Sequence, residues 1–253
     1  MSFQFSIIII CRNEAANIEA ALNSILLLSD DVVVYDSGST DGTLELLQKF
    51  PIRLVTGPWE GFGSTRQKAA LLSKYDWVLI VDADEVVSPQ LATELAEWKA
   101  PNTPTAYSIQ LHNHIGAVHL CHGTWGHDFR VRLYNRHQAR WSDARVHEKL
   151  ILPEGMAIIP LHYTIRHNTA RNMDELAKKL DRYATLTAEE YYRQGKRSTW
   201  IKRNLGPLFA FIKSFFLKLG FLDGSAGYHL AHTIARYTRS KYYRLHRLEQ
   251  SAN

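Results

Sequence analysis

Short apolar runs alternate with amphipathic stretches along the first half of the chain. Residues 5–10, 32–35 and 53–56 read as strands. So does 77–81, Trp-Val-Leu-Ile-Val, which is apolar at every position and predicts a strand buried on both faces. The stretches between have helical spacing. Residues 14–28 place Ile18, Leu22 and Ile25 at i, i+4 and i+7. Residues 43–50 form a second, short helix, and Ser64 opens a third that runs to about residue 74. A fourth begins at Ser88-Pro89, with Ser88 as N-cap, Pro89 at the first helical position and Leu91, Leu95 and Trp98 on its inner face. Strands alternating with helices predict a parallel sheet with right-handed crossovers.

The pattern changes after Pro101-Asn102-Thr103-Pro104. Residues 107–111, 129–134 and 146–150 read as strands with no long helix between them, a mixed or antiparallel extension that ends near Tyr163. From about residue 172 the spacing is helical to the end. The fold class is therefore α/β, a mixed sheet flanked by helices. Two domains are expected: residues 1–170, whose two halves meet near residue 100, and a helical, basic, amphipathic region over 171–253.

Composition narrows this little. The 253 residues are 45% hydrophobic and 22% charged, ordinary for a globular protein. The net charge of +5 raises three kinds of partner: nucleic acid, an anionic membrane surface and phosphorylated substrates. Only two cysteines occur, Cys11 and Cys121, both near predicted strands, which predicts free thiols in a reducing compartment. The N-terminus enters a strand directly, without the basic start or long apolar core of a signal peptide, so a cytoplasmic location is expected.

The chemistry concentrates where strands end. Asp82-Ala83-Asp84 closes the 77–81 strand, at the edge where open α/β sheets bind ligands. Oxygen donors there suit Mg²⁺ or Mn²⁺ carrying a diphosphate, with Asp84 in direct contact and Asp82 reaching ribose or a metal-bound water. Glu85 adds a third carboxylate. The bland alternative is a solvated strand end. Asp36-Ser37-Gly38-Ser39-Thr40-Asp41-Gly42 follows the second strand, and Asp36 can accept hydrogen bonds from a base or ribose, or simply cap a turn. Arg66 and Lys68 follow Gly61-Phe62-Gly63 at a helix start, a place that favours phosphate, or else they form its exposed face opposite Ala69, Leu71 and Leu72. The loop 123–128 presents Asp128. In Val146-His147-Glu148-Lys149, His147 can complete a metal site and Glu148 can act as a general base, though adjacent strand residues point to opposite faces. His162 is another possible ligand.

The tail has its own character. From Lys196 onward Lys and Arg are frequent, and between them Leu205, Phe209, Phe211, Phe215, Phe216 and Leu222 build an apolar stretch near the length of a membrane span. Pro207, Lys213 and Lys218 interrupt it, which predicts a helix lying in an anionic interface with its lysines reaching the phosphates. The alternative is a helical cap on the catalytic part or on a second subunit.

Together these residues resemble a known family. Ile7-Ile8-Ile9-Ile10 with Asn13-Glu14, Asp36-Ser37-Gly38-Ser39-Thr40-Asp41-Gly42-Thr43 and Asp82-Ala83-Asp84-Glu85 are similar to the family 2 inverting glycosyltransferases of the GT-A fold, over roughly residues 5–165. Trp59, Gly61-Phe62-Gly63, Asp128, Arg132-Leu133-Tyr134, Val146-His147-Glu148-Lys149, Leu161-His162-Tyr163 and the later Gly220-Phe221-Leu222-Asp223-Gly224 resemble the branch that holds lipopolysaccharide inner-core β-1,4-glucosyltransferases. The resemblance implies a GT-A (Rossmann-like) sheet with a helical C-terminal extension. It implies a metal-dependent hexosyltransferase that moves glucose from UDP-glucose, with inversion, onto a lipopolysaccharide core or related glycolipid. Asp36 would contact uridine, Asp82 the ribose or metal, and Asp84 the metal and diphosphate. Many members carry the base in a Glu-Asp pair before Gln-x-x-Arg-Trp. This chain has no such segment, and Asp128 and Glu148 are the candidate bases. A lipid-linked saccharide acceptor places the protein at the inner face of the cytoplasmic membrane. Competing readings are a nucleic-acid-binding protein built on the basic tail, a sugar nucleotidyltransferase, and transfer to another glycan or a polyprenyl phosphate. The tail's apolar content and the absence of a recognised module argue against nucleic acid. Cys11-Arg12-Asn13-Glu14, standing where a Gly-rich phosphate loop is needed, argues against nucleotidyl transfer.

Overall fold

The computed structural model of the protein describes residues 4–143 and 148–251. The chain divides into two compact units, one of residues 1–111 and 129–167, the other of 112–128 and 168–253.

The chain opens with strand β1 (Phe5–Cys11), helix α1 (Ile18–Asn23), β2 (Val32–Asp36), α2 (Thr43–Leu47), β3 (Arg53–Thr56), α3 (Phe62–Leu71), β4 (Trp77–Ile80), β5 (Glu85–Val87) and α4 (Pro89–Glu97). β6 (Thr105–Ile115), β7 (Val118–His119), β8 (Asp128–Asn135), β9 (Arg140–Trp141), β10 (Leu150–Ile151) and β11 (Ala157–Ala170) follow. Among the described residues nine strands form one sheet in the order β3-β2-β1-β4-β8-β6-β11-β5, with β7 beside β6. β3, β2, β1 and β4 run parallel; β8 joins β4 antiparallel, and β5 joins β11 antiparallel.

The buried strands explain the parallel half. Every residue of β1, β2 and β4 is buried, and strand periodicity sends alternate side chains to opposite faces. Ile7, Ile9, Val34 and Leu79 meet Ile18 and Leu22 of α1 and Leu91 and Leu95 of α4 on one face. Ile8, Ile10, Val33, Val78 and Ile80 meet Ala69 and Ala70 of α3 on the other. Each fully buried Ile or Leu contributes roughly 1.5–3 kcal/mol relative to its exposed form, so this double-faced core decides which edge of the sheet is left for chemistry.

Several elements differ in extent from the sequence reading. α1 spans six residues rather than fifteen, but the predicted Ile18, Leu22 and Ile25 are all buried, and turns continue its bonding on either side. α3 starts at Phe62, because Gly61 with φ of 101° begins the helix. Its inner face is Gly63, Ala69 and Ala70; Leu71 and Leu72, expected inside, are exposed. Small residues win that face because the helix lies close to its neighbours. A Cβ at Gly63 would stand 1.9 Å from the Ser142 carbonyl oxygen. Ser88 caps α4 as predicted, accepting from the Leu91 amide at 3.2 Å. Of the strand expected over 146–150, only Leu150 belongs to a described strand, paired with Trp141. Residues 144–147 lie outside the described residues.

In the second unit, α5 (Met173–Arg193), α6 (Trp200–Ile212) and α7 (Gly224–Ser251) carry the helical tail. A π-helical turn (Lys213–Leu217) and a 3-10 turn (Gly220–Asp223) connect the last two. Ile115, Leu120, Ala170, Leu176 and Leu230 form its core. Both carboxylate oxygens of Asp181 on α5 accept from Nη2 of Arg244 on α7, at 2.9 and 2.8 Å. On the β6–β7 hairpin the His119 ring stacks on His114 and lies tilted against His112.

Candidate active site

The site is built on the first unit, where β1, β2 and β4 end. The loops after β1 and β2 are tied together. The Asn13 side chain accepts from the Thr40 amide at 2.8 Å, the Asn13 amide donates to the Ser39 hydroxyl at 2.9 Å, and the Glu14 amide donates to Thr43 Oγ1 at 2.9 Å. Asp36 is fully buried beneath them. Its carboxylate accepts from the amides of Gly38 and Ser39, both at 2.9 Å, from the Ser39 hydroxyl and from the Cys11 thiol at 3.5 Å. Burial and this carboxylate push the Cys11 thiol well above its ordinary range. Asp36 thus holds the shape of the strand-end loop from inside.

β4 leads into the Asp82-Ala83-Asp84 turn, closed by the Glu85 amide donating to the Asp82 carbonyl at 2.9 Å. The two carboxylates have different company. Asp82 bridges two guanidinium groups, Arg66 of α3 at 2.7 Å and Arg132 of β8 at 2.9 Å. Arg66 also pairs with Glu148, and Arg132 with the fully buried Glu85. Glu85 in turn accepts the Asp82 amide at 2.9 Å. The Arg66 guanidinium lies 5.1 Å from the centre of the Trp141 ring, whose indole N–H donates to Tyr134 Oη at 3.0 Å. Burial alone would raise the Asp82 carboxyl, but Arg132 and Arg66 hold it far below its usual range. Burial raises Glu85, and the neighbouring Asp82 adds to the effect. Asp84 pairs with His167 of β11, Oδ2 to Nε2 3.4 Å. Antiparallel pairing of β5 with β11 sets His167 opposite Glu85, the residue after Asp84.

The sequence-predicted residues therefore separate. Arg66, Asp82 and Glu148 come together, and Asp84 stands beside them in the same turn as Asp82. Arg66 is buried, which discards the reading of an exposed helix face. Lys68 does occupy that exposed face, paired with Glu60 at 2.6 Å. Asp36 lies below the adjacent loop. His147 is outside the described residues. His162 is exposed and engaged by Glu94 of α4 at 2.7 Å. Asp128 opens β8 on the same side of that strand as Arg132, roughly 13 Å along it at 3.3 Å per residue. Arg132 and His167 were assigned no role from sequence. A signal existed for Arg132: an arginine within a strand that ends in buried Leu133 and Tyr134 needs a carboxylate partner. For His167 there was none, because its place depends on strand pairing.

Among the described residues no group of three or more His, Cys, Asp or Glu side chains is arranged to hold a metal ion alone. Asp84 and His167 nonetheless fit a shared one. Their 3.4 Å separation is close to the ~3.0 Å edge between two ligands each ~2.1 Å from an octahedral ion. Small divalent cations are commonly held by one or two protein ligands, with phosphates and water completing the shell.

A mixed α/β sheet with acidic turns at its parallel strand ends, and a helical C-terminal region, defines the GT-A class of glycosyltransferases. Residues 6–152 match the family Glycosyl transferase family 2, more than half of the chain, and the chain belongs to that family: it is a glycosyltransferase. An uncharacterized glycosyltransferase of Rickettsia bellii is 28% identical over 89% of this chain and 80% of its own length. The lipopolysaccharide core biosynthesis glycosyltransferase LpsC of Rhizobium meliloti is 29% identical over 98% of this chain and 95% of its own. Among solved structures, glucosyl-3-phosphoglycerate synthase from Mycobacterium tuberculosis, in complex with Mn²⁺, UDP and glucosyl-3-phosphoglycerate, superposes with a TM-score of 0.48 at 18% identity, covering 78% of this chain and 82% of that one.

Proposed function

We propose that the protein transfers glucose from UDP-glucose, with inversion, to a lipid-linked saccharide of the lipopolysaccharide-core kind, working at the inner face of the cytoplasmic membrane. The acceptor class is supported by the full-length similarity to LpsC. The observation that carries the chemistry is the division of labour in the acidic turn. Asp82 is clamped by Arg66 and Arg132, while Asp84 turns to His167. Clamping removes conformational freedom from the turn, so Asp84 is presented in one geometry. Asp84 and His167 would hold Mg²⁺ or Mn²⁺, which supplies Lewis-acid stabilisation of the departing diphosphate. Asp36 fixes the loop that faces the uridine, and the Arg66–Asp82 pair fixes the ribose side. The acceptor oxygen attacks the anomeric carbon from the face opposite the diphosphate. The carbon–oxygen bond to the β-phosphate breaks, UDP leaves with the electron pair, and a carboxylate takes the hydroxyl proton. Asp128 and Glu148, the latter paired with Arg66, are the candidate bases.

Calorimetric titration of UDP-glucose with and without Mn²⁺ tests the donor. Micromolar-range uptake that strengthens with the ion is expected. Absence of uptake for every uridine diphosphosugar, with or without a divalent ion, overturns the proposal. Product analysis on lipid-linked core saccharides against polyprenyl phosphate then distinguishes the acceptors.

A further inference from the structure

Helix α6 turns an apolar stripe outward. A surface helix normally turns an apolar stripe to the core and polar residues to water. None of the α6 residues is buried. Ile201, Leu205, Leu208, Phe209, Ile212 and Phe216 follow i, i+4, i+7, i+8, i+11 and i+15, and all are exposed, between 36% and 63%. The stripe continues through the π turn into Leu217 and Leu222, 67% and 57% exposed. At Gly206, away from the stripe, an added Cβ would touch Thr238 Cγ2 of α7 at 3.7 Å, so the helix packs on its neighbour through that side. With side chains of the order of 200 Å² each, the exposed apolar surface is on the order of 1,000 Å², beyond the largest patch of a typical monomer.

We propose that this face docks on an anionic lipid surface, with α6 lying in the headgroup plane and the α6–α7 turn as its deepest point. The inference rests on the lipid-linked acceptor of the proposed function for its purpose only. Charge identifies the occupant. Between Glu190 and Asp223 the chain has no acidic residue and seven basic ones, among them Lys202, Lys213 and Lys218 set within the apolar stretch. Asp223 does not oppose them: it is buried and held by the His122 amide at 2.8 Å and ring at 2.7 Å. Protein interfaces are depleted in lysine, whereas lysine stems lie along acyl chains while their heads reach phosphate. The turn is rigid enough to insert. Ser214 is buried, the Gly123 amide donates to the Lys218 carbonyl at 2.8 Å, and Cβ atoms at Gly220 or Gly227 would collide with backbone oxygens at 2.6 and 1.8 Å. Spanning is a worse fit. Among the described residues no single helix is long and apolar enough to cross a membrane, and the pair that passes by length and composition, 200–217 with 220–251, is bent by 74°.

The test is co-sedimentation of the full chain, without donor, on phosphatidylcholine vesicles with and without about one-third phosphatidylglycerol. Binding to the anionic vesicles at low salt and its loss at high salt are expected. Phe209→Asp with Leu217→Asp, and Lys213→Glu with Lys218→Glu, should each weaken binding by about tenfold or more, with UDP-glucose uptake unchanged. Failure of the unaltered chain to sediment, or sedimentation indifferent to both double variants, overturns the inference. So does a dimer of the unaltered chain that the aspartate variants split, since a second copy then covers the face. Retention through an alkaline carbonate wash overturns the in-plane arrangement. A chain that sediments but takes up no UDP-sugar leaves docking intact and removes the donor reading.

Discussion

Arg66 shows how much one side chain decides here. It is buried, it pairs with Asp82 and Glu148, and it lies over Trp141. Removing one partner of a buried ion pair strands the other charges. Arg66→Ala should therefore cost about 3–5 kcal/mol in urea unfolding, and Arg66→Lys should recover only part of this because it lacks the fork that reaches both acids. Asp84 and His167 make a different prediction. Under the proposed metal role, His167→Ala should weaken Mn²⁺ binding, read by electron paramagnetic resonance, by at least the ~10-fold seen even for outer-shell partners, and Asp84→Asn should remove transfer. A His167→Ala enzyme with unchanged ion affinity would exclude His167 from the site. For the base, Asp128→Asn should keep UDP-glucose uptake while transfer collapses. Glu148→Gln should instead lower stability through Arg66, and the reverse pattern would exchange the two roles.

At the scale of elements, the site depends on how closely α3 approaches the β9–β10 hairpin. Gly63 makes that approach possible, and one turn later α3 delivers Arg66 to Asp82, Glu148 and Trp141. Gly63→Ala should cost about 1–3 kcal/mol through forced displacement and loosen the hairpin, which Trp141 fluorescence and thermal unfolding report. Strand identities were legible in the sequence where burial was two-sided: the runs at 5–10, 32–35 and 77–81 have one physical solution. Helix lengths were less legible. The spacing of Ile18, Leu22 and Ile25 records which side faces the core, and it does not distinguish six helical residues from a longer helix flanked by turns. The α3 face was misjudged because Leu71 and Leu72 are larger than the alanines that pack, and size misleads where two elements lie close together.

For the whole molecule, the buried charge network ties stability to pH with two opposite signs. Asp82 is held below its ordinary value of 3.8 by Arg132 and Arg66 against the effect of burial. Its contribution is therefore present above pH 3.8 and is lost as pH falls through the lower folded-state value. Glu85 is raised above 4.5 by burial and by Asp82. Its proton is favoured in the folded state, so a cost sets in as pH rises past 4.5. Thermal unfolding of Glu85→Gln should gain on the unaltered protein as pH rises from about 4.5 toward neutrality; a constant offset across that range would show that Glu85 does not titrate as argued. The sequence by itself determined where the acidic turns lie, because continuous apolar runs force buried strands and the turns must follow at their ends. It also determined the mixed apolar and basic composition of the tail. Only the tertiary structure decided which acids are clamped and which is left to meet a histidine. Those choices depend on α3 crossing the 82–84 turn and on β11 lying antiparallel to β5, and contacts made across many tens of residues leave no local periodicity to read.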